Sequence, residues 1–276
     1  MPRPFFRTFS LRGRLYEYLR DLARWLGEHD PFVRLTARRS AVALAKARET
    51  AERLKTIGAR SVVFLSEVAW PDDEIERLAA LNSLPQHKVN PFRFISIGRL
   101  LHWKGFHLGI MAFAKLVQKY PQSEYWIVGD GPERHNLEWL AKRLGVADKV
   151  KFWGKLPREE ALKKLGECNV LLHPSLHDSG GWVCMEAMAA GRPVICLDLG
   201  GPALQVTKET GFRIPARTPE QVVEEMAEAM KRLSMDEVLR KKMSESAHKH
   251  VLTKFVWRHH REQIFNIYKQ VLERGR

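Results

Sequence analysis

H-P-S-L-H-D-S-G-G-W-V-C-M-E-A-M-A-A-G-R-P-V-I-C, His173 to Cys196, is the stretch from which the rest of the chain can be read. The apolar run Val170 to Leu172 predicts a buried strand entering it, and Ser175 to Gly181 predicts a loop of small residues. An apolar helix follows. Gly191 suits a left-handed helix stop, Pro193 cannot continue the helix, and Val194 to Leu197 is the next strand. Glu186 stands out as a carboxylate among Val183, Cys184, Met185, Ala187, Met188 and Ala189. A lone buried acid is too costly, so a partner is expected. Asp178 lies eight positions earlier, at the end of the loop. Ser179-Gly180-Gly181 brings bare backbone to the helix start, whose N–H groups form a ready anion site.

Three other stretches read together with this one: F-I-S-I-G-R-L-L-H-W-K-G at 94 to 105, W-I-V-G-D-G-P at 126 to 132, and K-V-K-F-W-G at 149 to 154. With D-x7-E followed by A-M-A-A-G-R-P-V-I, they resemble the ordered motifs of retaining glycosyltransferases of the two-Rossmann-domain (GT-B) type, family four. Asp178 stands where that family usually has Glu. Four matches in the family's order are far more specific than any one alone.

The resemblance implies an enzyme that moves a sugar from a nucleoside diphosphate sugar, with retention, to an acceptor that the sequence does not name. UDP- or GDP-sugar is the expected donor. It also implies roles. Arg99 and Lys104, on the loop that starts at Gly98, would grip the diphosphate; Glu186 would accept hydrogen bonds from the ribose hydroxyls; Asp178 would face the donor sugar. The backbone of Ser179, Gly180, Gly181, Trp182 and Val183 would approach phosphates or sugar, and that of Lys155 and Leu156 the base. With two cations on the diphosphate, no metal is required. His102, His107, His173 and His177 flank the motifs, and none is assigned as a catalytic base. Gly129-Asp130-Gly131 reads as a tight strand-to-helix turn.

Around these motifs the chain alternates. Phe92–Ile97, Tyr125–Val128, Val150–Trp153, Val170–Leu172 and Val194–Leu197 read as strands. Leu108–Val117, Glu133–Leu144, Arg158–Leu165 and Pro219–Leu233 read as helices. Such alternation predicts an α/β fold with a doubly wound parallel sheet, which binds ligands beyond the carboxyl ends of its strands. Before it, Leu11, Leu15, Tyr18, Leu19, Leu22, Trp25 and Leu26 fall at helical spacing between arginines. A helix docked on the core is the expected reading, with an interfacial membrane helix as the alternative. Asp30-Pro31 reads as a cap and first turn, and Ala41–Ala45, Glu49–Ile57 and Ser61–Leu65 as a βαβ remnant. Pro71–Pro91 reads as a linker.

The predicted organisation is a shortened, truncated N-terminal Rossmann-like portion with linker (1–90), a Rossmann-like donor domain (91–254) and a C-terminal helix (255–276). In the family that last helix crosses back to the N-terminal domain. The family's N-terminal acceptor-side domain is longer than residues 1–90. A second reading therefore stays open: a nucleotide-sugar-binding module without transfer activity of its own, truncated or dependent on a partner. A second copy of the chain is one such partner.

Composition bounds the rest. The 276 residues hold one large or two ordinary domains, and 45% hydrophobic content supports a real core. Cys168, Cys184 and Cys196 lie in apolar segments at wide spacings, which predicts reduced buried thiols in a cytoplasmic protein. No export signal or spanning helix is read. The net charge of +14 splits into +8 over residues 1–60, −1 over 61–230 and +7 over 231–276. No nucleic-acid-reading motif accompanies the basic ends. They read as solvated surface, or as a face for the anionic inner surface of the membrane.

Overall fold

The computed structural model describes residues 5, 11–65, 69–81 and 91–274. Its centre is a six-stranded, wholly parallel sheet made of β3 (Phe92–Ile97), β4 (Ser123–Val128), β5 (Val150–Gly154), β6 (Val170–His173), β7 (Val194–Leu197) and β8 (Gly211–Ile214). The strand order is β5-β4-β3-β6-β7-β8. Chain travel runs outward from β3 on one side and from β6 on the other, which is the doubly wound arrangement expected from the sequence.

Both faces of the sheet are covered, so its strands read as apolar runs rather than alternating ones. Phe94, Tyr125, Ile127, Leu172 and Ile195 pack on one face with α5 (Phe106–Val117), α6 (Arg134–Arg143) and α10 (Pro219–Met235). Ile95, Trp126, Leu171 and Val194 pack on the other with α7 (Arg158–Gly166), α8 (Trp182–Ala189) and α11 (Glu237–Lys254). Burying each such large apolar side chain contributes roughly 1.5–3 kcal/mol. Cys168, Cys184 and Cys196 are free and buried.

The N-terminal part forms a smaller unit. α1 (Leu11–His29) and α2 (Pro31–Arg39) precede β1 (Ala43–Ala45), α3 (Arg48–Thr56) and β2 (Val62–Phe64). β1 and β2 pair in parallel as a separate two-stranded sheet. Asp30 caps α2, accepting from the N–H of Phe32 and Val33 with Pro31 in the first turn.

Two expectations need correction. The segment read as a linker contains a helix, α4 (Asp72–Ala80), whose Ile75 and Leu78 are fully buried against the α8 side of the large core. Three acids in its first turn suit the helix dipole; residues 82–90 of that linker lie outside the described residues. α1 does not dock through its apolar stripe. Leu11, Leu15, Tyr18, Leu19, Leu22, Trp25 and Leu26 are all exposed, while Glu17 is fully buried and ion-paired with Arg20. α1 therefore turns its charged face inward.

The chain end meets the segment just before α4. Trp70 forms a parallel bridge with Val256, donating to Phe255 O at 2.9 Å and accepting from Trp257 N at 2.9 Å, at the entry to α12 (Trp257–Arg274).

Candidate functional site

The order reverses between β3 and β6, a switch point of the kind beyond whose strand carboxyl ends open α/β sheets place their ligand crevice. Two of the quoted stretches leave there: residues 98–105 after β3, and 174–181 after β6. Leu176 N donates to Trp103 O at 2.8 Å, which ties one loop to the other.

Between them lies a cluster centred on Asp178. Lys104 Nζ stands 2.6 Å from Asp178 Oδ2, His173 Nε2 stands 3.1 Å from the same oxygen, and Gly181 N donates to Oδ1 at 3.0 Å. Burial by itself would raise the Asp178 pKa; the hydrogen bond and charge of His173, and then those of Lys104, outweigh it and hold the carboxyl well below the usual range. An ammonium has three donors, so Lys104 keeps others for a ligand while holding Asp178. Gly200 supports the loop from below. It has φ 61°, and a Cβ there would lie 2.0 Å from the Asp178 carbonyl oxygen. Gly201 N donates to that oxygen at 3.0 Å.

Gly98 and Arg99 follow β3 directly, with Arg99 exposed. Beside them His102 and His107 stack with ring centroids 4.5 Å apart. Burial lowers both pKa values, that of His107 to about 3, so neither ring carries charge at neutral pH. After β5, Lys155 is exposed and Leu156 packs partly into the core.

α8 begins at the crevice. Gly180 and Gly181 are buried, Ser179 and Trp182 are exposed, and Val183 is half-buried. Glu186 lies one turn further in, and its expected partner is Arg158, at the start of α7. Arg158 Nε and Nη2 stand 3.1 and 2.9 Å from Glu186 Oε1. Burial raises the Glu186 pKa above its ordinary value, and Arg158 offsets part of that rise. Arg158 Nη2 also donates to Glu74 at 2.7 Å, Glu74 pairs with Arg77, and Arg77 with Glu159. Charges alternate along this row, which joins α4 to the mouth of the crevice. Trp70 lies over Arg158 at 5.1 Å and meets Trp182 edge-on at 5.0 Å.

The sequence reading names His173 only as flanking the motif and misses Arg158 and Glu74. Arg158 had only the signal that Glu186 needed a partner, and Glu74 lay in a segment read as linker.

The family model of glycosyl transferases group 1 matches residues 83–250, more than half of the chain. The chain belongs to this family. Relatives include 2-deoxystreptamine glucosyltransferase of Streptomyces kanamyceticus, 36% identical over 163 residues (59% of this chain, 41% of the relative). Alpha-D-kanosaminyltransferase of the same organism is 30% identical over 269 residues (93% and 66%). D-inositol 3-phosphate glycosyltransferase of Corynebacterium jeikeium is 29% identical over 187 residues (65% and 43%). The chain thus spans about half the length of relatives it matches. Anabaena Alr3699/HepE, solved with UDP, shares the fold with a TM-score of 0.69 and 21% identity, covering 88% of this chain and 69% of that one. In this member of the group 1 family, the matched segment contains the β3 loop, the β6 loop, α8 and Arg158, and α4 lies before it.

Proposed function

We propose that the crevice at the β3–β6 switch point binds a nucleoside diphosphate sugar and that the chain transfers its sugar, with retention, to an acceptor hydroxyl. The observation that carries this reading is the junction of the two motif loops through Lys104 and Asp178, beside the α8 N-terminus and Glu186. Arg99 and Lys104 neutralise the diphosphate, each charge-assisted contact contributing roughly 1.5–3 kcal/mol. Glu186 accepts from the ribose hydroxyls. Asp178 orients Lys104 and lies at the sugar end, and the backbone after β5 meets the base.

Transfer breaks the bond between the anomeric carbon and the diphosphate oxygen while the acceptor oxygen bonds to that carbon on the same face. The acceptor proton passes to the departing phosphate. Charge grows on the leaving group as this happens, so the Arg99 and Lys104 contacts strengthen towards the transition state. No protein nucleophile takes part in this scheme.

Calorimetric titration of the chain with UDP, GDP and ADP tests the reading. Micromolar binding of one nucleotide, lost in Arg99→Ala and Glu186→Ala, is expected; equal binding by both variants overturns it. The two-stranded N-terminal sheet favours a second reading, a donor-binding module completed by a partner, a second copy included. Release of sugar from the donor by the chain alone speaks against that alternative.

The exposed apolar face of α1, with Arg14 exposed beside it, favours attachment to anionic lipid. Sedimentation with anionic but not neutral vesicles, weakened by salt, is the expected outcome. Equal recovery in both supernatants removes the idea.

A further inference from the structure

Arg192 belongs to the stretch A-M-A-A-G-R-P-V-I, yet the donor reading gives it no role. It follows α8 at the turn where Gly191 takes φ 65° and Arg192 N donates to Ala187 O at 2.7 Å. Its side chain is fully buried. Nη2 donates to Gly166 O at 2.7 Å and to Leu81 O at 3.1 Å, while Nε and Nη1 are buried without a hydrogen-bond partner. Burial lowers its pKa to about 10, so the group remains a cation at neutral pH. A buried guanidinium bonded only to two carbonyl oxygens is a costly arrangement, and an aliphatic side chain would fill the space without that cost.

The two carbonyls occupy equivalent places. Gly166 is the last residue of α7, and Leu81 is the C-cap of α4. Helix carboxyl ends present carbonyls without intrahelical partners and a partial negative charge, which suits a cation. α4 and α7 are both nine residues long, roughly 13 Å. Their amino ends are joined as well. Arg158 Nη2 donates to Glu74 at 2.7 Å, and from one turn further along α4 Arg77 Nη1 reaches Glu159 Oε1 at 2.6 Å. The two helices are thus tied together at both ends, by ion pairs near the crevice and by one buried guanidinium at the opposite end.

We infer that Arg192 is a positioning residue for the proposed donor site: by holding the carboxyl ends of α4 and α7 together it sets Glu74 and Arg158 at their amino ends, and through Arg158 it fixes the Glu186 carboxylate. Arg192 makes no bond to Glu186 itself. The charges that face Glu186 are Arg158 from α7 and Glu74 and Arg77 from α4, with Arg158 the strongest. Loosening the two helices therefore weakens chiefly the Arg158 contact, and the Glu186 carboxyl then titrates at higher pH. The inference rests on the donor reading only for what Glu186 binds.

NMR titration of the Glu186 carboxyl in the full chain, assigned by its loss in Glu186→Gln, tests the coupling with no nucleotide present. Arg192→Met is expected to move that titration to higher pH, as Arg158→Ala does, and to add nothing in the Arg158→Ala background. UDP affinity at neutral pH is expected to fall about tenfold, as for the loss of one charge-assisted contact. Arg192→Lys keeps a cationic donor, is expected to show both effects in smaller measure, and serves where Arg192→Met does not fold. Gly145→Ala lowers stability from outside both helices and is expected to leave the titration in place. An unmoved Glu186 titration in a folded Arg192 variant overturns the inference. So does a shift of equal size with and without Arg158, because the effect then reaches Glu186 along α8. Failure of UDP, GDP and ADP to bind the native chain refutes the donor reading instead, and the titration still decides the role of Arg192.

Discussion

Arg158 Nη2 lies 2.9 Å from Glu186 Oε1, so the carboxylate assigned to the ribose already has a cationic partner within the chain. The contact holds an acid inside an apolar helix that could not otherwise keep its charge. It also fixes where Glu186 points, and it ties that orientation to α4 through Glu74.

A pH dependence follows. Burial raises the Glu186 pKa above its ordinary value of 4.5, with Arg158 offsetting part of the rise. Ribose hydroxyls donate to the ionised form, so UDP affinity should increase as pH rises through the raised value. Calorimetry across weakly acidic to neutral pH measures this, and the difference from Glu186→Gln isolates the residue from titration of the nucleotide. In Arg158→Ala the offset is gone, and the rise in affinity should move to higher pH. An unmoved profile would mean that the pair does not control Glu186. The accompanying stability effect has the opposite sign: a raised acid favours the fold below 4.5 and loses that contribution as pH rises.

Asp178 should behave in the reverse way. Its pKa is held below the ordinary 3.8 by His173 and Lys104 against the effect of burial. The pair with Lys104 is mostly buried, with side-chain exposures of 23% and 16%. Asp178→Asn should therefore cost about 1–3 kcal/mol at neutral pH. A depressed acid stabilises the fold fully above its unfolded value and less as pH falls below it. The melting-temperature gap between native and Asp178→Asn should hold from pH 7 to about pH 5 and narrow in stronger acid. A gap independent of pH would assign the effect to shape rather than charge.

Arg99 separates binding from folding. It is exposed after β3 and lies in no core cluster. Loss of one charge-assisted contact of roughly 1.5–3 kcal/mol corresponds to about 10- to 150-fold weaker UDP binding. Arg99→Ala should show this by calorimetry with a melting temperature unchanged.

The large sheet was legible because helices cover both of its faces, which writes each central strand as a short apolar run. β8 escaped notice because Gly-Phe-Arg-Ile contains a charged residue, and Arg213 is spent on Ala203 O at 2.8 Å. α11 buries Arg240 and Ser244 beside Met243, Ala247 and Val251, so it carries no clean apolar stripe. α4 was hidden by its acids, although Ile75 and Leu78, three apart, are its buried positions. α1 had a clear stripe whose direction periodicity could not supply. At the site, the motif residues were legible by type and order. The Arg158–Glu74 contact spans 84 positions and leaves no local trace.

Two glycines in the same backbone region test whether the Asp178 loop needs its support. Gly200 has φ 61° and Gly145 has φ 71°. Either replacement by Ala brings the left-handed penalty of about 1–2 kcal/mol. Their surroundings differ. A Cβ at Gly145 meets nothing within 4 Å, whereas one at Gly200 would lie 2.0 Å from the Asp178 carbonyl oxygen. That oxygen belongs to backbone and cannot swing aside, so the loop itself must move and draw the Asp178 carboxylate away from Lys104. Gly145→Ala should lower the melting temperature by a few degrees and leave UDP affinity intact. Gly200→Ala should lower it further and weaken UDP binding at least tenfold, because Lys104 loses the contact that aims it. Equal UDP affinity in the two variants would mean that Lys104 is positioned by the β3 loop alone.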